Sequence, residues 1–326
     1  KEAICLQQKK CGYLLIILLI GLALLTGGCS WFKSPLQKPD TQPQKGSDVG
    51  TEPQISVYMH ETGEKKTMKM EDYIAGVVAG EMKNDWPVEA LAAQAIIART
   101  FTVQAIEEKG GVPERGTQAS TDIKEFQAYD ASAINDNVRK AVQMTRGKII
   151  TYQGKPAKTW FHASAGGKTA TAKEGLDYKD PEPPYIQSVD SPDDLAPADV
   201  RQWSVAFSKE EVIEAIKKAG LTIDKLESIA IGQKGPSGRT TTFTVNGNKS
   251  VSAPALRVAI GSTKLKSMLL DKVEMKGNQV IFTGKGYGHG VGMSQWGAHK
   301  MAKEGKSPEE IVRHYYRNVT IEQRWQ

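Results

Sequence analysis

A single mixed α+β domain over residues 53–326 is the fold this sequence predicts, and three observations predict it. Short runs of alternating apolar and polar residues, bounded by Gly and Asn turns, read as strands. Longer runs carry apolar residues three and four apart and open on acids or capping boxes, so they read as helices. The two kinds of run are interspersed along the chain, with no internal repeat.

Residues 55–59 alternate, Gly63 turns the chain and residues 66–70 follow, which makes a strand or hairpin. Residues 71–81 start with two acids and place apolar side chains at 73, 74, 77 and 78, a helical spacing. Trp86-Pro87 breaks it, and Pro87 suits the first turn of a new helix, where its missing N–H costs nothing. Val88, Leu91, Ala92, Ala95, Ile96, Val103 and Ile106 mark that helix's buried face. Gly110-Gly111 ends it, and its small, apolar middle predicts a central position.

Residues 112–130 read as loop, with a short strand at 127–129. A helix is expected over 133–144, then a hairpin of 147–154 with 157–162. Residues 165–203 are irregular and hold five prolines; loops this long are commonly functional. Ser208 and Glu211 form a capping box for a helix closed by Gly220. Strands are expected at 229–232, 240–245 and 249–252, a helical turn at 255–260, and a hairpin of 273–275 with 279–283. Ser307, Pro308 and Glu310 start a last helix.

The first 52 residues stand apart. Lys9-Lys10 precede an apolar run over 12–25, then Thr26-Gly-Gly-Cys29. A basic start, an apolar middle and small residues describe an export signal, and the run is short for a full membrane span. Cys29 after two glycines resembles a lipobox, in which Cys29 carries lipid, although Leu25 stands four residues before Cys29 instead of three. The alternative is an uncleaved anchor helix. Residues 1–29 are therefore a lipoprotein-type signal or anchor, and 30–52, rich in Pro, Gln and Lys, a disordered tether with a reach of roughly 25 Å. Both readings hold the body to the outer face of the cytoplasmic membrane.

Composition removes several functions. The three cysteines, Cys5, Cys11 and Cys29, all lie in the leader. The body is thus no disulfide scaffold, Cys-ligated zinc module or cysteine-nucleophile enzyme. The net charge of +6 is mild and forms no basic stripe, which argues against a nucleic-acid partner.

Three places carry chemistry. In residues 284–298 glycine occupies every second position from 284 to 292, with His289 in the middle and Ser294-Gln295 at a helix start. The spacing matches no P-loop, and alternate glycines let a backbone or a ligand come close. The structural alternative is a packing strand with a bonded histidine. Glu81 ends an apolar helix, where apolar surroundings raise a carboxyl pKa toward general-acid use. Its alternative is a solvated helix-end glutamate. Residues 160–169 run an apolar strand into a Gly-rich turn, where His162 and Ser164 could hydrogen-bond a sugar. The five histidines show no metal-ligand spacing.

Tyr73-Ile-Ala-Gly-Val-Val-Ala-Gly-Glu81, Trp86-Pro-Val-Glu-Ala-Leu-Ala-Ala-Gln94, Phe161-His-Ala-Ser164, Arg257-Val and Gly286-Tyr-Gly-His-Gly-Val-Gly-Met-Ser-Gln-Trp-Gly-Ala298 resemble, in order, the stage II sporulation protein D/LytB domain family. The resemblance covers roughly residues 53–326. It implies a catalytic domain with a substrate groove, a peptidoglycan lytic transglycosylase with Glu81 as its one acid/base. It implies a groove lined by His162, Ser164, Tyr287, His289, Ser294 and Gln295, with Arg99 and Tyr129 beside it. Glycan strands are the implied partner, and other cell-wall hydrolases a further one, since some members are described as amidase enhancers. Some members hold zinc near the Phe-His-x-Ser segment through Cys and His. Here those places hold Ala165 and Lys168, so neither metal nor cofactor is expected. The rivals are a non-catalytic wall-binding protein and a serine hydrolase on Ser164 or Ser294.

Overall fold

The structure, a computed structural model, describes residues 49–326. The expected signal or anchor, with Cys29, and nearly all of the tether lie outside the described residues. Gly50 to Glu52, assigned to the tether from sequence, are instead held by the fold. Gly50 bridges to Trp325, and Glu52 accepts from the Glu71 N–H and pairs with Arg146.

The chain opens with β1 (Gln54–Tyr58) and β2 (Lys65–Lys69), an antiparallel hairpin. Helix α1 (Met70–Glu81) follows, then α2 (Val88–Lys109). Pro87 is the N-cap of α2, one residue before the first turn, and Gly110 closes it at φ 76°. As its apolar middle predicts, α2 is central. It packs on α1 and, among later elements, on α3 (Asp136–Met144), β4 (Lys148–Tyr152), α8 (Gln295–Lys303) and α9 (Pro308–Tyr315). Leu91, Ile96 and Ile97 on it are fully buried, each worth about 1.5–3 kcal/mol of transfer free energy.

Two expectations fail between α2 and residue 162. The short strand is β3 (Ala119–Ser120), which pairs in parallel with β1, and not 127–129. The Ala128 and Asp130 N–H groups donate to α1 instead, to Glu81 Oε1 and the Gly76 carbonyl. The expected hairpin stops early. Of its second half only β5 (Lys155–Pro156) pairs with β4, with one further bond from the Ala157 N–H to the Ile150 carbonyl at 3.0 Å. The next strand, β6 (Phe161–His162), leaves for another sheet. The helix expected from 133 starts at Asp136 because Asn135 caps it, accepting from the Val138 N–H at 3.0 Å.

The irregular stretch holds only α4 (Ala172–Leu176) and α5 (Ala198–Arg201). A second apolar core then forms from β7 (Trp203–Ser208), α6 (Lys209–Lys218), β8 (Ile229–Ile231), β9 (Thr242–Val245), β10 (Lys249–Ser252), α7 (Ala253–Ile260), β11 (Leu270–Lys276) and β12 (Gln279–Gly284). Both predicted capping boxes are present, at Ser208–Glu211 and Ser307–Glu310. The chain returns to the first core through β13 (Met293–Ser294), α8 and α9, and ends in β14 (Thr320–Gln323) against β4, a strand the sequence did not announce. The described residues belong to one compact α+β unit with two cores.

Candidate active site

Gly76 and Gly80 stand four residues apart on α1 and leave a bare groove on that helix. Residues 128–130 lie in it. A Cβ on Gly80 would stand 2.7 Å from the Tyr129 nitrogen, and one on Gly76 would meet the Tyr129 ring. The Asp130 N–H donates to the Gly76 carbonyl at 2.9 Å. The Ala128 N–H donates to Glu81 Oε1 at 2.8 Å. Tyr129 stacks on Tyr73 with ring centroids 5.8 Å apart.

Glu81 is the last residue of α1. Burial pushes its carboxyl pKa up, and the Ala128 N–H opposes part of that rise. The negative end of the helix dipole also disfavours a carboxylate there. No other carboxylate bonds to Glu81 or shifts it among the described residues. A carboxyl whose acid form is favoured by burial and whose anion is bonded by an N–H can give a proton and then take one.

The glycine segment reaches this site from the far end of the chain. Gln295, first residue of α8, donates from Nε2 to the Glu81 main-chain carbonyl at 3.1 Å. The segment before it is not simply extended. Gly286, Gly288, Gly290 and Gly292 have φ of 78°, 112°, 86° and 71°, a left-handed region that glycine alone adopts without strain. Each lies against a neighbour: Ser164 O for Gly286, His162 for Gly288, the Arg239 guanidinium for Gly290 and Trp160 O for Gly292. The bare face expected from sequence is therefore filled by the protein itself. β6 and β13 pair in parallel, Phe161 with Met293 and His162 with Ser294.

The expected lining residues fall into two groups. Gln295, Tyr129 and Glu81 come together as described. His162 and His289 also meet, with ring centroids 5.6 Å apart. His162 Nδ1 donates to the Val291 carbonyl at 3.1 Å, and its buried Nε2 has no partner among the described residues. His289 Nδ1 accepts from the Val291 N–H at 3.0 Å, which leaves the proton on Nε2. Burial and the nearby Arg257 and Arg239 hold His289 down to about 3, and burial holds His162 well below the usual imidazole range. Both rings are neutral at ordinary pH. Tyr287 is half-buried and exchanges backbone hydrogen bonds with Ser164.

Three residues are committed elsewhere. Arg99 has no exposed surface. Its Nε and Nη2 donate to Glu71 at 3.0 and 2.6 Å and its Nη1 to Lys148 O, so it cannot line a groove. Ser294 is fully buried; it donates to Asp193 Oδ1 at 2.7 Å and caps α8. Ser164 is 1% exposed, and its Oγ accepts from the Gly166 N–H at 3.3 Å. Neither serine hydroxyl bonds an imidazole, which removes the geometric basis for a serine hydrolase.

Other site residues escaped sequence reasoning. Trp86 packs on Trp296 and on His299 at 4.5 and 4.4 Å, and Lys83 Nζ lies 5.3 Å from the Trp296 ring centroid. Trp296 is half-buried and follows Gln295, which bonds the Glu81 main-chain carbonyl. The i, i+4 spacing of Gly76 and Gly80 was the available signal for the 128–130 contact. A hollow of about 300 Å³ beside Ser164 is lined also by Gly166, Gly167, Asp193 and Arg201, and one of about 460 Å³ lies at the Glu52–Arg146 pair. Glu81 lines neither.

Comparison with known proteins places these residues in context. A family model described as stage II sporulation protein matches residues 58–152, which include Glu81, Ala128 and Tyr129. A second, described as a domain of unknown function, matches residues 179–292, which span the second core. The chain is 33% identical to stage II sporulation protein D of Bacillus amyloliquefaciens over 281 residues, covering 82% of this chain and 78% of that one. It is 30% identical over 292 residues to the protein of that name in Bacillus subtilis strain 168, covering 85% and 82%. It is 28% identical over 293 residues to the amidase enhancer of Bacillus subtilis strain 168, covering 76% of this chain and 40% of the enhancer.

Proposed function

This chain belongs to the stage II sporulation protein D family, and on that premise we propose that it is a peptidoglycan lytic transglycosylase. It cuts glycan strands between N-acetylmuramic acid and N-acetylglucosamine. The observation that carries the reading is the single poised carboxyl of Glu81, raised by burial and bonded by the Ala128 N–H.

A hydrolase of this bond needs two carboxylates, one acid and one base or nucleophile. A transglycosylase manages with one. Glu81 gives its proton to the glycosidic oxygen as the bond from C1 breaks. The resulting carboxylate takes the proton of the muramic acid C6 hydroxyl as that oxygen bonds to C1. The product is a 1,6-anhydro sugar, Glu81 ends protonated, and no water is consumed. Burial favours the acid that starts the cycle, and the Ala128 N–H steadies the carboxylate in its middle. A leader over residues 1–29 and a tether over the following residues would keep this domain beside the wall, outside the cytoplasmic membrane.

Digestion of purified glycan strands tests the reading, with products analysed by mass spectrometry. The native chain is expected to release anhydro-muramic ends and Glu81→Gln none. Absence of such ends with the native chain defeats the enzyme reading; full activity in Glu81→Gln defeats the assignment of the acid. The similarity to an amidase enhancer favours one rival, a wall-binding activator. Its signature is faster peptide release by an added amidase with no anhydro ends.

A further inference from the structure

Arg257 is an anomaly. It is 8% exposed, yet among the described residues no carboxylate lies within 4.0 Å of its guanidinium. Its Nε donates to the carbonyls of Leu265 and Lys266 at 2.9 and 3.2 Å, and its Nη2 to Ser262 O at 2.9 Å. Its Nη1 has no hydrogen-bond partner among the described residues and is not sealed from solvent by them. A desolvated cation facing only carbonyl oxygens is costly to hold, because dipoles replace hydration without neutralising the charge.

The guanidinium is also well placed. The Lys266 carbonyl that accepts from Arg257 accepts from the Gly288 N–H too, at 2.8 Å. Arg257 therefore lies against the chain between Tyr287 and His289. A Cβ on Gly288 would meet His162, whose Nε2 is a buried polar atom lacking a partner among the described residues. Tyr287 is half-buried, its hydroxyl makes no hydrogen bond among the described residues, and it lies near enough to Arg257 to interact with its charge. Arg239 stands under Gly290, adding a second buried guanidinium, with Glu174 accepting from its backbone N–H. The neutral His162 keeps its proton on Nδ1, so its Nε2 adds no donor; Arg239 adds positive charge, and no acidic side chain stands at Arg257 among the described residues.

We propose that Arg257 and the Tyr287 hydroxyl form a receptor for an oxyanion, a carboxylate or phosphate carried by the wall polymer, at the glycine segment that leads to Gln295 and Glu81. The inference rests on the glycan reading only for the source of the anion. Arg257 Nη1 and the Tyr287 O–H donate to the oxyanion, a charge-assisted contact of the stronger kind. The anion supplies the negative charge that the fold withholds. Binding it would fix an acidic unit of the strand relative to Glu81, so the subsite sets register along the glycan.

Calorimetry on the full chain at low ionic strength tests this with three probes: N-acetylmuramic acid, inorganic phosphate and N-acetylglucosamine. One or both anionic probes are expected to bind at least about tenfold more tightly than the neutral sugar, with that advantage lost at high salt. Stronger binding of the sugar acid identifies a carboxylate source, and stronger binding of phosphate a phosphate source. Arg257→Gln is expected to remove the advantage and Arg257→Lys to keep part of it. Equal binding of acid and neutral sugar, or no loss in Arg257→Gln, overturns the proposal. Because Arg257 also ties the 262–266 loop, Tyr287→Phe and the salt series on the native chain decide if Arg257→Gln does not fold; binding unchanged in both rejects the receptor. Glu81→Gln is expected to bind the anion as the native chain does, so failure of the glycosidic chemistry and failure of the anion site are seen separately.

Discussion

Gln295 donates from its side-chain amide to the main-chain carbonyl of Glu81 across 3.1 Å, joining residues 214 positions apart. This bond fixes the end of α1, where an otherwise free helix carbonyl would let the last turn fray. Gln295→Ala is therefore expected to lower turnover of glycan strands by about tenfold, roughly 1.4 kcal/mol, through lost positioning of Glu81. KM should change little. A fall in binding with unchanged turnover would make Gln295 a glycan contact instead.

Glu81 yields a pH prediction. Its folded pKa is raised, so its contribution to stability is fully present below the ordinary carboxyl value of 4.5 and is lost as pH rises through the folded value. Glu81→Gln removes that loss. Its melting temperature should exceed that of the native chain at neutral pH, and the gap should close on acidification below about 4.5. Native activity should fall on the alkaline side as Glu81 loses the proton it must donate. Calorimetric melts and a rate profile across pH check both.

Arg99 is expected to matter for stability and not for substrate. Arg99→Met leaves the Glu71 carboxylate buried beside the Gly147 N–H and Trp325 Nε1, and breaking such a pair costs about 3–5 kcal/mol. Urea unfolding should show that loss, and a much smaller one for Arg99→Met with Glu71→Gln. Activity per folded molecule should stay close to native.

Gly292 and Gly305 provide a controlled comparison. Both have positive φ, at 71° and 84°. A Cβ at Gly305 meets nothing within 4 Å, so Gly305→Ala should cost about 1–2 kcal/mol from backbone strain alone. A Cβ at Gly292 collides with the Trp160 carbonyl and the Tyr316 hydroxyl. Gly292→Ala should therefore cost well over about 3 kcal/mol, or prevent folding, as read by urea midpoints.

Much of the local structure was legible because its causes are local. The capping boxes at Ser208 and Ser307, the Gly110 stop and the apolar face of α2 depend on residues within one or two turns of each other. Where partners are remote, the sequence misled. Residues 127–129 look like a strand, but the Ala128 and Asp130 N–H groups are taken by α1. Residues 157–162 look like half of a hairpin, but β6 finds β13, which lies more than 130 residues later. Arg99, expected beside the groove, points into a core ion pair.

The sequence by itself determined which residues could do chemistry: a lone glutamate ending an apolar helix, and a glycine run that admits close neighbours. Only the tertiary structure decided what surrounds them. A pKa depends on burial and on donors within a few ångströms, and Ala128 and Gln295 reach Glu81 only after folding. The glycine run could have faced a ligand or the protein, and packing of His162, Arg239 and Trp160 against it settled that. A buried guanidinium without a carboxylate is likewise invisible in one dimension, because pairing is a matter of distance in space.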